Sequence, residues 1–143
     1  MQKTDQPKEI NLTIPIIPDM EVAATNTAEA VLRFMAFDTD KIDEVKHALI
    51  EGCINAFEHS QSQDGNVYIK FVMQEDELVV IIQDFGHGFE VEGVEKPELD
   101  QKLGVAGSYK RGWGLMMMES LMDTVSIDSN ESGTRITMTK KRT

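Results

Sequence analysis

The chain predicts an α+β fold, a two-layer sandwich in which helices cover one face of an antiparallel or mixed sheet. Two observations carry this. The hydrophobic periodicity runs strand, helix, helix, hairpin, glycine-rich turn, loop, helix, hairpin, an order that lays helices against hairpin-connected strands. The length of 143 residues suits one domain, residues 1–143, with a single core.

Met1 to Lys8 is polar and reads as a frayed end. From Glu9 to Pro15, Ile10, Leu12 and Ile14 alternate with polar residues as in a strand with one buried face, and Pro15 marks an edge or an end. Pro18-Asp19 opens a helix from about Met20 to Phe37 carrying Val22, Ala30, Leu32, Phe34 and Met35. Thr39 or Asp40 then caps a second helix, roughly Lys41 to Glu58. Gln61 to Gly65 is a polar loop. Val67, Ile69, Phe71 and Met73 form a strand, paired as a hairpin with the apolar run Leu78 to Ile82 that ends at Gln83-Asp84. Glu90 to Lys110 lacks strong periodicity, and a segment that long is a linker or a functional lid. Gly112 to Met122 resumes helical spacing, and Val125 to Asp128 with Thr134 to Lys140 closes the chain as a hairpin.

Composition excludes some functions. Acidic residues outnumber basic ones 25 to 14, which opposes nonspecific binding to nucleic acid or to an anionic membrane and would steer a basic protein partner. Cys53 is the only cysteine, so no internal disulfide forms and a reducing, cytoplasmic setting is expected. No secretory signal opens the chain, and no apolar run is long enough to span a bilayer.

The second helix holds the first candidate chemistry. On a wheel of 100° per residue, Val45, Leu49, Ile50, Gly52, Cys53, Ala56 and Phe57 sweep a broad apolar arc. Glu51 and Asn55 stand one turn apart beside it, spaced to reach a common point. By itself this strip is ordinary solvated edge, a sector shared by Glu44, His47 and Glu58. The glycines downstream reverse that reading. Asp84-x-Gly86-x-Gly88 ends a buried strand, and Arg111-Gly112-Trp113-Gly114 directly precedes the expected third helix. Clustered glycines let backbone approach a ligand, and a helix N-terminus offers unpaired N–H groups to phosphate.

Familiar alternatives fail. Asp84-Phe85-Gly86 matches a tripeptide of eukaryotic-type protein kinases, but no V-A-I-K lysine or H-R-D loop accompanies it. Neither G-x-x-x-x-G-K-S/T nor G-x-G-x-x-G is present. His59 beside Glu51 and Asn55 is a poor zinc set without a second imidazole or a thiolate. His87 reads as a turn residue, and Met116, Met117, Met118 and Met122 as core filling or as a face suited to adaptable protein docking.

Taken in order, Glu51-x-x-x-Asn55-Ala56-x-x-His59, Asp84-x-Gly86-x-Gly88-Phe89, Arg111-Gly112-x-Gly114-Leu115, Leu121-Met122-Asp123 and Gly133-Thr134 resemble the GHKL ATP-binding fold of gyrase and histidine kinases. Within it the chain most resembles the bacterial anti-sigma factor serine/threonine kinases of partner-switching systems. The likeness extends from the strand at Ile10 to the last hairpin. It implies ATP and Mg²⁺ as cofactors, with Asn55 as the metal ligand and Glu51 as the catalytic base that takes the proton of a seryl or threonyl hydroxyl. Asp84 would accept from the adenine amino group, with Gly86 and Gly88 leaving room for the ring and Thr134 beside it through water. Gly112 and Gly114 would bring backbone amides to the phosphates, Arg111 would hold the γ-phosphate, and residues 90–110 would be the ATP lid. The implied partners are a sigma factor and an anti-sigma factor antagonist, with homodimer formation.

Two residues depart from that pattern: Gly52 stands where alanine is usual, and Trp113 replaces an aliphatic residue. A second function fits the same residues, an ATP-gated protein-binding module without kinase activity. A detached histidine-kinase catalytic domain is disfavoured, because no dimerisation helix with a phosphoacceptor histidine precedes the expected domain.

Overall fold

The computed structural model describes residues 8–59, 63–86 and 106–143, without the side chains of His59 and of residues 106–113. Its elements are β1 (Lys8–Pro15), α1 (Glu21–Phe34), α2 (Thr39–His59), β2 (Asn66–Met73), β3 (Glu77–Asp84), α3 (Ala106–Leu121), β4 (Thr124–Asn130) and β5 (Gly133–Lys141). The five strands form one sheet in the order β1-β2-β3-β5-β4, and every pairing is antiparallel. β1 is an edge strand, and Pro15 ends it where the missing N–H costs no ladder bond.

Strict alternation on β2, β3 and β5 turns Val67, Ile69, Phe71, Leu78, Val80, Ile82, Ile136 and Met138 to one face, all at most 2% exposed. The helices cover that face. α2 packs between α1 and α3 and supplies Val45, Ala48, Leu49 and Cys53, each 0% exposed. The broad apolar arc of α2 is therefore the buried centre of the helical layer.

Glycine inside a helix costs about 1 kcal/mol against alanine, yet Gly52 has a packing reason. A β-carbon there would lie 2.5 Å from Ile82 Cδ1, 3.5 Å from Met118 Sδ and 3.7 Å from Met138 Cε. The helix touches the sheet at this point, and glycine allows the approach without displacing the Ile82 methyl.

The helix boundaries differ from the sequence reading for identifiable reasons. α1 stops at Phe34 rather than Phe37, because Ala36 takes φ 63°. The amide of Phe37 then donates to Leu32 O at 3.0 Å and that of Ala36 to Arg33 O at 3.1 Å, a Schellman closure. Its buried face is Ala24, Ala28, Val31 and Leu32, whereas Val22 and Phe34, among the apolar residues that mark this helix in the sequence, are exposed. Asp19 lies at φ 76° in a turn and gives no side-chain cap. α2 begins at Thr39, two residues early, and Ile42 N–H donates to the carbonyl of Asp38. α3 starts at Ala106, six residues before the expected Gly112.

Candidate active site

The site is assembled by α2, α3 and the ends of β3 and β5. Burial separates Glu51 from Asn55, which is only 5% exposed, while Glu51 stays partly open. The Nδ2 of Asn55 is buried and has no hydrogen-bond partner among the described residues. A buried amide left unpaired costs about 1–3 kcal/mol, so this group calls for a partner beyond the described residues.

Facing it is Gly114 of α3. A β-carbon at 114 would lie 3.2 Å from Glu51 Oε2 and 3.7 Å from Asn55 Nδ2. The third helix therefore approaches the polar edge of the second, and glycine leaves the space next to both side chains open. The start of α3 corrects the expectation for this segment. Gly112 and Gly114 lie inside a helix, which pairs their amides internally, and they offer no free N–H groups at a helix start. What Gly114 contributes is room.

Asp84 closes β3 and is 3% exposed. Its Oδ1 accepts from the amide of Gly86 at 3.0 Å, which pins the turn leaving the strand. Thr134 pairs with Asp84 across the β3–β5 ladder and is 5% exposed. Its hydroxyl shares a 3.0 Å hydrogen bond with Ser129 Oγ, a partner that the sequence reading did not find. Gly133, at φ 137°, allows this corner to form, because a β-carbon there would collide with the carbonyl oxygen of Asp84. Phe85 is 49% exposed and packs edge-on against Tyr68 with centroids 5.3 Å apart.

Thus the structure brings Glu51, Asn55 and Gly114 together where α2 meets α3, and Asp84, Gly86 and Thr134 together at the ends of β3 and β5. Gly88, His87, Phe89 and residues 90–105 lie outside the described residues, as do the side chains of His59, Arg111 and Trp113.

Two further residues fix the frame. Lys140, 7% exposed, points its ammonium to the carbonyl of Leu121 at the end of α3 and pairs with Glu44 Oε1 of α2 at 2.9 Å. A lysine on the inward register of β5, two residues beyond Met138, was the available signal. Asp123, in the Leu121-Met122-Asp123 segment, accepts from the amide of Lys141 at 2.6 Å and so ties the exit of α3 to β5.

The described residues contain no group of three or more His, Cys, Asp or Glu side chains able to hold a metal, so a dedicated cation cage is absent among them. The donor set suits a hard, hydrated cation that takes one protein oxygen and completes its shell from phosphate and water. Turning the Asn55 amide presents Oδ1 in place of the unpaired Nδ2.

Comparison with known proteins agrees with this fold. A family model described as a histidine kinase-like ATPase domain matches residues 17–140. The serine-protein kinase RsbW of Bacillus subtilis (strain 168) is 34% identical over 143 residues, covering 92% of this chain and 84% of that protein. RsbW of Halalkalibacterium halodurans is 25% identical, covering 96% and 86%. The RsbU and RsbW domains of a Mycobacterium tuberculosis protein superpose with a TM-score of 0.68 at 18% identity, covering 94% of this chain and 32% of that one. A structure of the SiaB-SiaC complex from Pseudomonas aeruginosa matches with a TM-score of 0.57 at 12% identity, covering 92% and 88%. At these identities the structural matches speak to the fold alone.

The chain belongs to the histidine kinase-like ATPase family and, within it, to the RsbW serine-protein kinases. Its enzymatic class is protein serine/threonine kinase, with ATP as the phosphoryl donor. No helix among the described residues is long and apolar enough to cross a membrane.

Proposed function

We propose that this kinase is a cytoplasmic anti-sigma factor: it holds a sigma factor and uses Mg-ATP to phosphorylate a seryl or threonyl hydroxyl of that factor's antagonist. The observation that carries the reading is the placement of Glu51 and of the buried Asn55 amide, whose Nδ2 is unpaired among the described residues, around the gap that Gly114 leaves. The acidic surface, with 25 acidic against 14 basic residues, favours a basic protein partner.

In this reading Asp84 receives the adenine amino group, with Thr134 beside the ring and Gly86 and Gly88 clearing its plane. Asn55 is the protein ligand of Mg²⁺, which when bound neutralises charge on the phosphate oxygens. Arg111 and Gly112 lie along the phosphates, with Gly114 keeping the path to them open, and residues 90–110 form the lid. The antagonist's hydroxyl oxygen attacks the γ-phosphorus, its proton passes to a carboxylate oxygen of Glu51, and ADP leaves. Because the phosphoryl transition state is loose, holding that hydroxyl in line matters more than the basicity of Glu51.

Melting curves and phosphotransfer assays test the assignment together. Mg-ATP should raise the melting temperature of the native chain, and Asn55→Ala should abolish the rise. Glu51→Ala should keep the rise but lose transfer of labelled phosphate to an antagonist captured with the chain in the presence of ATP. Full transfer by Glu51→Ala would remove Glu51 from its role, and a native chain indifferent to Mg-ATP would overturn the nucleotide site.

A further inference from the structure

Gly52 lies directly after Glu51 and three residues before Asn55, on the side of α2 that faces the sheet. Its nearest neighbour, Ile82, lies two residues before Asp84 on the same buried face of β3. A β-carbon at 52 would stand 2.5 Å from Ile82 Cδ1, closer than real β-carbons come. Ile82 is 1% exposed and Met118 and Met138 are 0% exposed, and both methionines also face position 52. The terminal methyl of Ile82 must move to admit a β-carbon, and since it and both methionines are buried, close packing shares that misfit between the side chains and the seat of α2.

We propose that Gly52 is a positioning residue for the nucleotide. By letting α2 seat against Ile82, it sets the span between Asn55 on the helix and Asp84 at the strand end. This rests on the nucleotide reading given above, in which one ATP molecule must satisfy both residues at once. An outward shift of α2 carries Asn55 and Glu51 away from Asp84, and the two ends of the ligand no longer fit together. Met118, one turn after Gly114 on α3, meets the same point, so the seating of α2 also governs how α3 approaches Glu51.

Isothermal titration of Mg-ATP into four chains tests this: the native chain, Ile82→Val, Gly52→Ala and the double variant. Ile82→Val removes Cδ1, the atom a new β-carbon would strike. Gly52→Ala should bind about tenfold or more weakly. Ile82→Val alone and the double variant should bind within about threefold of the native chain. The ligand-free melting temperature is followed in parallel. Ile82→Val alone should melt below the native chain, so recovered binding in the double variant reports seating rather than general stability. Native-like binding by Gly52→Ala, or a double variant that binds no better than Gly52→Ala, would overturn the inference. If Gly52→Ala does not fold, the double variant decides: recovered folding and binding support the inference, and failure of either overturns it. A native chain that itself gives no binding heat would sink the nucleotide reading, and this inference with it.

Discussion

Glu51 on α2 and Gly114 on α3 face each other so closely that a β-carbon at 114 would come within 3.2 Å of Glu51 Oε2. The carboxylate and the glycine therefore compete for one small volume. Gly114→Ala should stabilise α3 intrinsically by about 0.8–1 kcal/mol, while pushing Glu51 out of line and lowering phosphotransfer by about tenfold or more. Ligand-free melting and the transfer rate should move in opposite directions. A transfer rate within about twofold of native would mean that the gap at 114 is not used in catalysis.

The fold was legible because its signals are local. The alternation on β2, β3 and β5 and the wide apolar arc of α2 are dictated by residues next to one another in sequence. The boundaries of α1 were not, because Ala36 adopts a left-handed φ without the glycine that announces such a stop. At the site, Glu51, Asn55 and Asp84 were readable as an ordered motif. The reason for Gly52 was hidden, because it lies in a contact with Ile82, thirty positions along the chain, that no pattern encodes. The start of α3 is not legible in the sequence: the residues before Gly112 lack a strong period, so helical spacing resumes only at Gly112 although α3 starts at Ala106.

Lys140 joins both helices of the site from below. Its contacts, Glu44 and Leu121, lie seven residues before Glu51 and seven after Gly114. Lys140→Met would leave the Leu121 carbonyl without its donor, a loss of about 1–3 kcal/mol. At about 2–4 °C per kcal/mol for a domain of this size, the melting temperature should fall by several degrees. Glu44→Gln should cost less than about 1 kcal/mol, because the Glu44 side chain is 44% exposed and its amide oxygen can still accept. Equal melting of Lys140→Met and the native chain would show that the clamp holds nothing.

Ala36 offers a change that leaves the site untouched. It is exposed and sits at φ 63°, in the position where the closure of α1 favours glycine. The left-handed conformation costs an L-residue about 1–2 kcal/mol, and the extra freedom of glycine in the unfolded chain takes back part of that. Ala36→Gly should therefore raise stability by about 0.5–1 kcal/mol with kinase activity unchanged. Denaturant titration checks it, with the midpoint expected to move up at constant slope. A lower midpoint would show that the turn is not strained.

Cys53 is 0% exposed, and its thiol is pushed up from 9.0 to about 12, by burial first and by the charge of Glu21 second. Between these values the unfolded chain loses the thiol proton while the folded chain keeps it. Stability from this group is therefore complete below about pH 9 and is lost as pH rises through about 12. The limiting slope is about 1.4 kcal/mol per pH unit for one proton. Other groups titrate in the same range, so the quantity to measure is the stability of the native chain minus that of Cys53→Ala, followed by urea unfolding from pH 8 upward. The difference should hold steady to about pH 9 and then fall. Below pH 9 a thiol reagent should label Cys53 only when denaturant is present, since the reactive thiolate is both unformed and out of reach in the fold. Rapid stoichiometric labelling of the folded chain at neutral pH would show that α2 opens from the sheet far more readily than its packing at Gly52 and Cys53 allows.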